Sequence, residues 1–146
     1  MGNKEIDQIG QMQVEIEAVP DEIGFAILKP DAVSTEIAET ILGKIKDAGL
    51  EILHREELFL KQEIIVQLYG DRILPEWADE LFRYLSSGQS MILIVGGSCA
   101  SESLMKIRNE VRKDHGCDFL HNLIHASDTP TEAMTEAGLF FHIGNL

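Results

Sequence analysis

The segment "NLIHASD", Asn122 to Asp128, sets a histidine between a short apolar run and a Ser-Asp pair. A histidine that leaves a strand just before a helix N-terminus stands where backbone N–H groups attract anions. There its ring can attack phosphorus or shuttle a proton near neutral pH. Such a ring needs a partner to fix it. Glu136, on the helix that follows, can fold back to it, and Ser127 can join the same network. Lys29 is the second candidate. It closes the first apolar run immediately before Pro30-Asp31, and a lysine held at a strand end by a rigid proline reaches a ligand as a compact point charge. Taken singly, His125 equally suits a half-buried structural histidine, and Lys29 a surface lysine that ends a strand. The group His115, Cys117, His121 and His125 opens another class, a zinc-binding module with His121 and His125 on one face of a strand, although the spacing fits no familiar site.

The elements that must position these side chains can be read from periodicity. "IGFAILKPD", from Ile23, is a short apolar run stopped by Pro30 and predicts a buried strand. Ser34 or Thr35 can cap a helix with apolar positions Ile37, Ile41, Leu42, Ile45 and Ala48, ended by Gly49. "LEILHREELFL" reads as a strand with Leu50, Ile52, Leu58 and Leu60 on one parity. "QEIIVQLYG" is a short helix closed by Gly70, and Pro75 can open a helix with Trp77, Leu81 and Leu85 along one stripe. "MILIV" is a buried strand ended by Gly96-Gly97. Leu104, Ile107 and Val111 mark a helix, "NLIH" a brief strand, and Asp128 or Thr129 caps a last helix with Pro130 in its first turn. The order β-α-β-(α-α)-β-α-β-α predicts a ferredoxin-like α/β sandwich of the α+β class. Its four-stranded sheet is mainly antiparallel, with helices packed on one face. Residues 1–22, with scattered Ile6, Ile9, Met12, Val14 and Ile16, read as an added arm, a strand or a partner-binding segment.

Composition bounds the function. A chain of 146 residues with 45% hydrophobic residues suits one domain with a real core. No apolar run approaches the ~20 residues of a membrane span. The start lacks the basic and apolar stretches of a signal peptide, and Ile6 stands where a myristoylation signal needs Ser or Thr. Two cysteines make no disulfide framework, so a reduced, cytoplasmic setting is expected. A net charge of −13 argues against nucleic acid and anionic membranes as partners. It leaves room for a small phosphate ligand, which needs only a few local cations. Four of the twelve basic residues, Lys106, Arg108, Arg112 and Lys113, fall within eight positions; alone, that spacing also suits a solvated helix face.

Together, "ILKPDAV" near the start and "HNLIHASDTPTEAMTEAGLFF" near the end resemble the nucleoside diphosphate kinase family. Its members open with a strand and Lys-Pro-Asp, and close with Asn-x-x-His-Gly-Ser-Asp and a helix carrying a glutamate. The resemblance runs from about Ile23 to Phe141 and includes "QLYGDRILPEWADELFRYLSSG", similar to the family's helical hairpin. It divides the chain into an extension, 1–22, and a kinase-like domain, 23–146. It implies ping-pong transfer of a γ-phosphoryl group from a nucleoside triphosphate to His125 and then to a nucleoside diphosphate, with Mg²⁺ held mainly by the phosphates. Lys29 would contact the phosphates and sugar, Asn122 the ribose, and Tyr69 the region of the histidine, which Glu136 and Ser127 would hold. Trp77 would stack on the base with Leu81 beside it, and Arg112 and Arg108 would meet the phosphates.

The resemblance also marks departures. Ala126 replaces the family's glycine after the histidine, which would be strained if that backbone needs φ > 0. His121 stands where relatives carry arginine. "SCASESLMKIRNEVRKDHGCDFL" is shorter than the family's connection there, which brings a phosphate-gripping threonine and arginine and helps build trimers. Arg108 or Lys106 is the expected substitute for that arginine, and a dimer the expected homo-oligomer. The alternative is a degenerate member that binds nucleotides or protein partners without catalysis.

Overall fold

The computed structural model describes residues 11–16, 20–115 and 117–144. Its first strand, β1 (Met12–Glu15), lies outside the main sheet. β2 (Ile23–Leu28) and, later in the chain, β4 (Ser90–Gly96) are buried at every position. They pair antiparallel at the centre of a four-stranded sheet, with β3 (Glu51–Leu58) beside β4 and β5 (Ile124–Ala126) beside β2. The order β3-β4-β2-β5, all antiparallel, is the ferredoxin-like sheet expected from the element order.

Side chains alternate across a strand, and the alternation sorts two cores. Ala26, Leu28, Met91, Leu93 and Val95 pack with α2 (Ile37–Asp47) and α5 (Ala100–Asp114); α2 follows a one-turn α1 (Pro30–Val33). Phe25, Ile27, Ile92 and Ile94 pack with α3 (Gln62–Tyr69), α4 (Ala78–Leu85) and α6 (Pro130–Ala137). Helices therefore cover both faces, not one. Central strands that are buried at every position leave no face that water could solvate.

Two local expectations are corrected. The parity of β3 breaks at a bulge between Ile52 and His54. Leu50 and Ile52 join the α2/α5 core while Leu58 and Leu60 join the other, because one extra residue turns the strand over. Pro75 opens a turn instead of a helix: Trp77 N–H donates to Leu74 C=O at 3.1 Å, with proline at the second position, and α4 starts only at Ala78. At the N-terminal end, β1 pairs parallel with β6 (Phe141–Gly144), so of the readings open for residues 1–22 the strand holds for Met12–Glu15. Its Val14 and Ile16 are buried in the α6-side core, whereas Ile6 and Ile9 lie outside the described residues. Among the described residues no helix is long and apolar enough to cross a membrane.

Candidate active site

A cleft of about 940 Å³ opens where β5, α5, α6 and the α3–α4 hairpin converge. His125 lies in its wall. Period two on β5 turns His125 toward the α6 side, while its neighbours Ile124 and Ala126 are buried in the other core. Its Nε2 lies 2.7 Å from Glu136 Oε1, and Ser127 Oγ donates to the same oxygen. Burial pushes the Glu136 carboxyl up, but the His125 and Ser127 hydrogen bonds and the imidazole charge outweigh it, and its pKa falls below the usual value. The ionised carboxylate is an acceptor only, so the His125 nitrogen facing it, Nε2, is the donor, and in the neutral ring the lone pair is then on Nδ1. The helix that brings Glu136 here starts as expected: Thr129 Oγ1 accepts from Glu132 N–H, with Pro130 in the first turn.

Lys29 leaves β2 and caps α1, with only 2% of its surface exposed. Its backbone N–H donates to Leu123 C=O at 2.8 Å, and its ammonium donates to Asn122 Oδ1. The ammonium also lies 5.6 Å from the centre of the Tyr69 ring. Burial, and then the charge of Arg112, lower the Lys29 pKa from 10.5 to about 7, against an opposing pull from Asp31. The Tyr69 hydroxyl is driven the other way, up to about 12, chiefly by burial. Between Asn122 and β5, Leu123 adopts φ 68°, a left-handed conformation costly for a branched side chain. Its N–H lies 3.4 Å from the Tyr84 hydroxyl, which in turn donates to Asp31 at 2.6 Å.

Three arginines complete the positive wall. Arg112 spends two donors on the Asn122 and Ile124 carbonyls, at 3.2 and 2.6 Å, and so holds the approach to β5. Arg108, one turn away, lines the cleft and pairs with Asp128 at 3.2 Å. Arg72 anchors on the Leu68 carbonyl at 2.7 Å and stacks 5.3 Å from Tyr69. Trp77 sits at the mouth, edge-to-face with Phe119 at 5.9 Å.

Of the expected site residues, His125, Lys29, Glu136, Tyr69, Trp77, Arg108, Arg112 and Asn122 all line this one cleft. Ser127 is buried behind it on Glu136. Leu81 is the exception: at 1% exposure it packs in the core and is absent from the cleft wall, because the helical stripe it shares with Leu85 faces inward. The helix period also sorts the basic cluster. Arg108 and Arg112 face the cleft, whereas Lys106 is exposed and pairs with Glu102. Of Arg108 and Lys106, Arg108 is the one that lines the cleft. Ala126 is extended in β5, so the missing glycine brings no backbone strain.

His115, Cys117 and His121 line one pocket while His125 lines the cleft, so the four residues of the His/Cys group do not gather around one ion. His121 precedes β5 and meets Asp118, Glu80 and the Tyr84 ring, while His125 meets Glu136. Among the described residues no three His, Cys, Asp or Glu side chains are grouped to hold a metal. Sequence reasoning missed Arg72, Phe119, Thr131 and Thr135 in the cleft wall. Arg72 had a signal, a basic residue just past the Gly70 helix stop; the other three looked like ordinary surface positions.

Comparison with known proteins follows the same outline. A family model described as "Nucleoside diphosphate kinase" matches residues 22–146. The nucleoside diphosphate kinase of Methanococcus maripaludis is 28% identical over 127 residues, covering 80% of this chain and 96% of that protein. The "Thioredoxin domain-containing protein 3 homolog" of Ciona intestinalis is 29% identical over 140 residues, covering 84% of this chain; the chain spans only 21% of that protein's length. Among solved structures, a halophilic nucleoside diphosphate kinase from Halobacterium salinarum in complex with CDP superposes with a TM-score of 0.74 at 26% identity, covering 83% of this chain and 88% of that one.

Proposed function

The chain belongs to the nucleoside diphosphate kinase family, and on that premise we propose that it moves the γ-phosphoryl group of a nucleoside triphosphate to a nucleoside diphosphate through a phosphohistidine on His125. The observation that carries this reading is the His125–Glu136 pair. With Nε2–H donating to Glu136, the free lone pair is on Nδ1, in a cleft walled by one lysine and three arginines.

The Nδ1 lone pair attacks the γ-phosphorus, a P–N bond forms, and the bond to the β–γ bridging oxygen breaks. The nucleoside diphosphate leaves with that electron pair. No proton has to move, and the ring gains positive charge, which the ionised Glu136 beside it stabilises. In the second half a terminal oxygen of the incoming diphosphate attacks the same phosphorus, and the P–N bond returns its electrons to Nδ1. The protein's contribution is positioning and charge stabilisation of the transferring group. Lys29, Arg72, Arg108 and Arg112 supply the charge, Asn122 and Lys29 the sugar contacts, and Trp77 a stacking surface that every base shares.

Mg²⁺ held by the phosphate oxygens would add further charge neutralisation. The donor set suits that arrangement, because the cleft's carboxylates are already engaged: Asp128 with Arg108, Glu132 with the Asp128 N–H, and Glu136 with His125.

The test is to incubate the chain with γ-³²P-ATP and Mg²⁺ without acceptor. The expected result is acid-labile, alkali-stable label on the wild type, released by a nucleoside diphosphate and absent from His125→Ala. Label that survives in His125→Ala would refute the nucleophile. A folded wild type that never labels would leave a nucleotide-binding member without catalysis.

A further inference from the structure

β1 and its flanks meet the structure at the two elements that follow His125 in the chain. Met12–Glu15 run parallel to Phe141–Gly144, with Met12 opposite Phe141 and Val14 opposite Ile143. Met12 N–H donates to Phe140 C=O at 2.9 Å, and the Gln11 side-chain amide donates to the carbonyl of Gly138, the residue that caps α6. Val14 and Ile16 are 4% and 2% exposed, in the same core as Ala133 and Ala137 on the inner side of α6 and as Phe25, Phe140 and Phe141.

α6 has only eight residues, too few to hold its own shape without tertiary support. Glu136 stands in its last turn, next to Ala137 and two residues before the carbonyl that Gln11 engages. The N-terminal end of α6 is fixed by Thr129. The C-terminal end is fixed by a segment that lies more than a hundred residues away in sequence.

We propose that β1 is a positioning element for the reaction centre: Gln11 and Val14 clamp the C-terminal end of α6 and thereby hold Glu136 at the 2.7 Å separation that fixes the His125 ring. The proposal rests on the phosphotransfer reading only for its consequence in rate. Its structural content concerns the ring itself. Loosening the clamp lets Glu136 drift from Nε2, and the ring loses the restraint that keeps its proton there.

Two full-chain variants test this, Gln11→Ala and Val14→Ala, with Glu136→Ala as the reference for a broken pair. The first leaves the core untouched, so it decides the matter even where Val14→Ala is too unstable to study. ¹⁵N spectra of the neutral His125 ring report which nitrogen carries the proton. The expected result is that wild type holds the proton on Nε2 and that both variants move toward the mixed pattern of Glu136→Ala. In the same variants kcat should fall about tenfold, the effect of weakening one charge-assisted hydrogen bond, with KM unchanged. Val14→Ile, which keeps a branched apolar side chain, should behave as wild type. An unchanged ring signal in Gln11→Ala and in every folded clamp variant would overturn the proposal, even where the melting temperature drops, because it would leave β1 merely structural. A moved ring signal in a chain whose wild type transfers no phosphate would uphold the clamp and reject the phosphotransfer reading.

Discussion

The inner end of the cleft and its mouth are built on opposite plans. At the inner end Lys29, Asn122, His125 and Glu136 each meet at least one other polar group in place, and Lys29 is almost completely buried. At the mouth Phe119 is 75% exposed and Trp77 touches it only edge-on, while Arg108 rests on an Asp128 that is itself 58% exposed. Fixed partners leave little to reorganise when charge develops, so the inner end suits the reacting phosphate. An exposed ring such as Phe119 can adjust to bases of different size, so the mouth suits whatever part of the ligand varies. Even the strain follows this division, with the left-handed Leu123 beside Asn122 on the inner side.

Substitutions at the two ends should therefore differ in kind as well as in size. The largest effect is expected at the inner end: Lys29→Gln should lower kcat/KM by about 10²–10³-fold in a coupled assay. The melting temperature should hold or rise, since a buried cation has been removed. An effect on KM alone would contradict the placement of Lys29 at the reacting phosphates. Glu136→Ala should come next, with a kcat loss of about 10- to 100-fold. At the mouth, Trp77→Ala should weaken binding by about 1–3 kcal/mol for every nucleotide alike, measured by calorimetry. A loss confined to one base would mean that the mouth reads base edges. The smallest effect belongs to the exposed ion pair. Asp128→Asn should tighten nucleotide binding by less than about 1 kcal/mol, because Arg108 is released from an exposed partner.

Proton linkage gives a test that leaves the sequence intact. Lys29 has a pKa of about 7 in the fold and 10.5 ordinarily. Between those values the unfolded chain binds more protons at this site than the folded one, so the Lys29 contribution to stability rises with pH across that window. A phosphate beside the ammonium favours its charged form and raises the pKa again. Nucleotide binding at pH 8 should then take up protons, seen as a binding enthalpy that changes with the ionisation enthalpy of the buffer. Binding at pH 8 with no proton uptake would show that the phosphates do not approach Lys29.

How far the site could be read from sequence varies with the reach of each signal. The central strands announced themselves as apolar runs, and Thr129-Pro130 announced the start of α6, because those signals are local. The two motifs "ILKPDAV" and "HNLIHASDTPTEAMTEAGLFF" carried His125, Lys29, Asn122 and Glu136 for the same reason. The bulge in β3 escaped, since one added residue leaves the apolar pattern looking continuous. Leu81 was misplaced because an inward stripe and a ligand-facing stripe have the same spacing; only packing distinguishes them.

By itself, then, the sequence determined which residue types could move a phosphoryl group and which segments would be strands or helices, since side-chain chemistry and periodicity are properties of neighbours in the chain. The tertiary structure alone decided the rest. It chose which nitrogen of His125 carries the proton, gathered Arg72, Arg108 and Arg112 around it, and brought Met12–Glu15 against the last strand. Each of these depends on groups far apart in sequence meeting within a few ångströms in a low-dielectric interior, where a single hydrogen bond or burial settles the state of its neighbour.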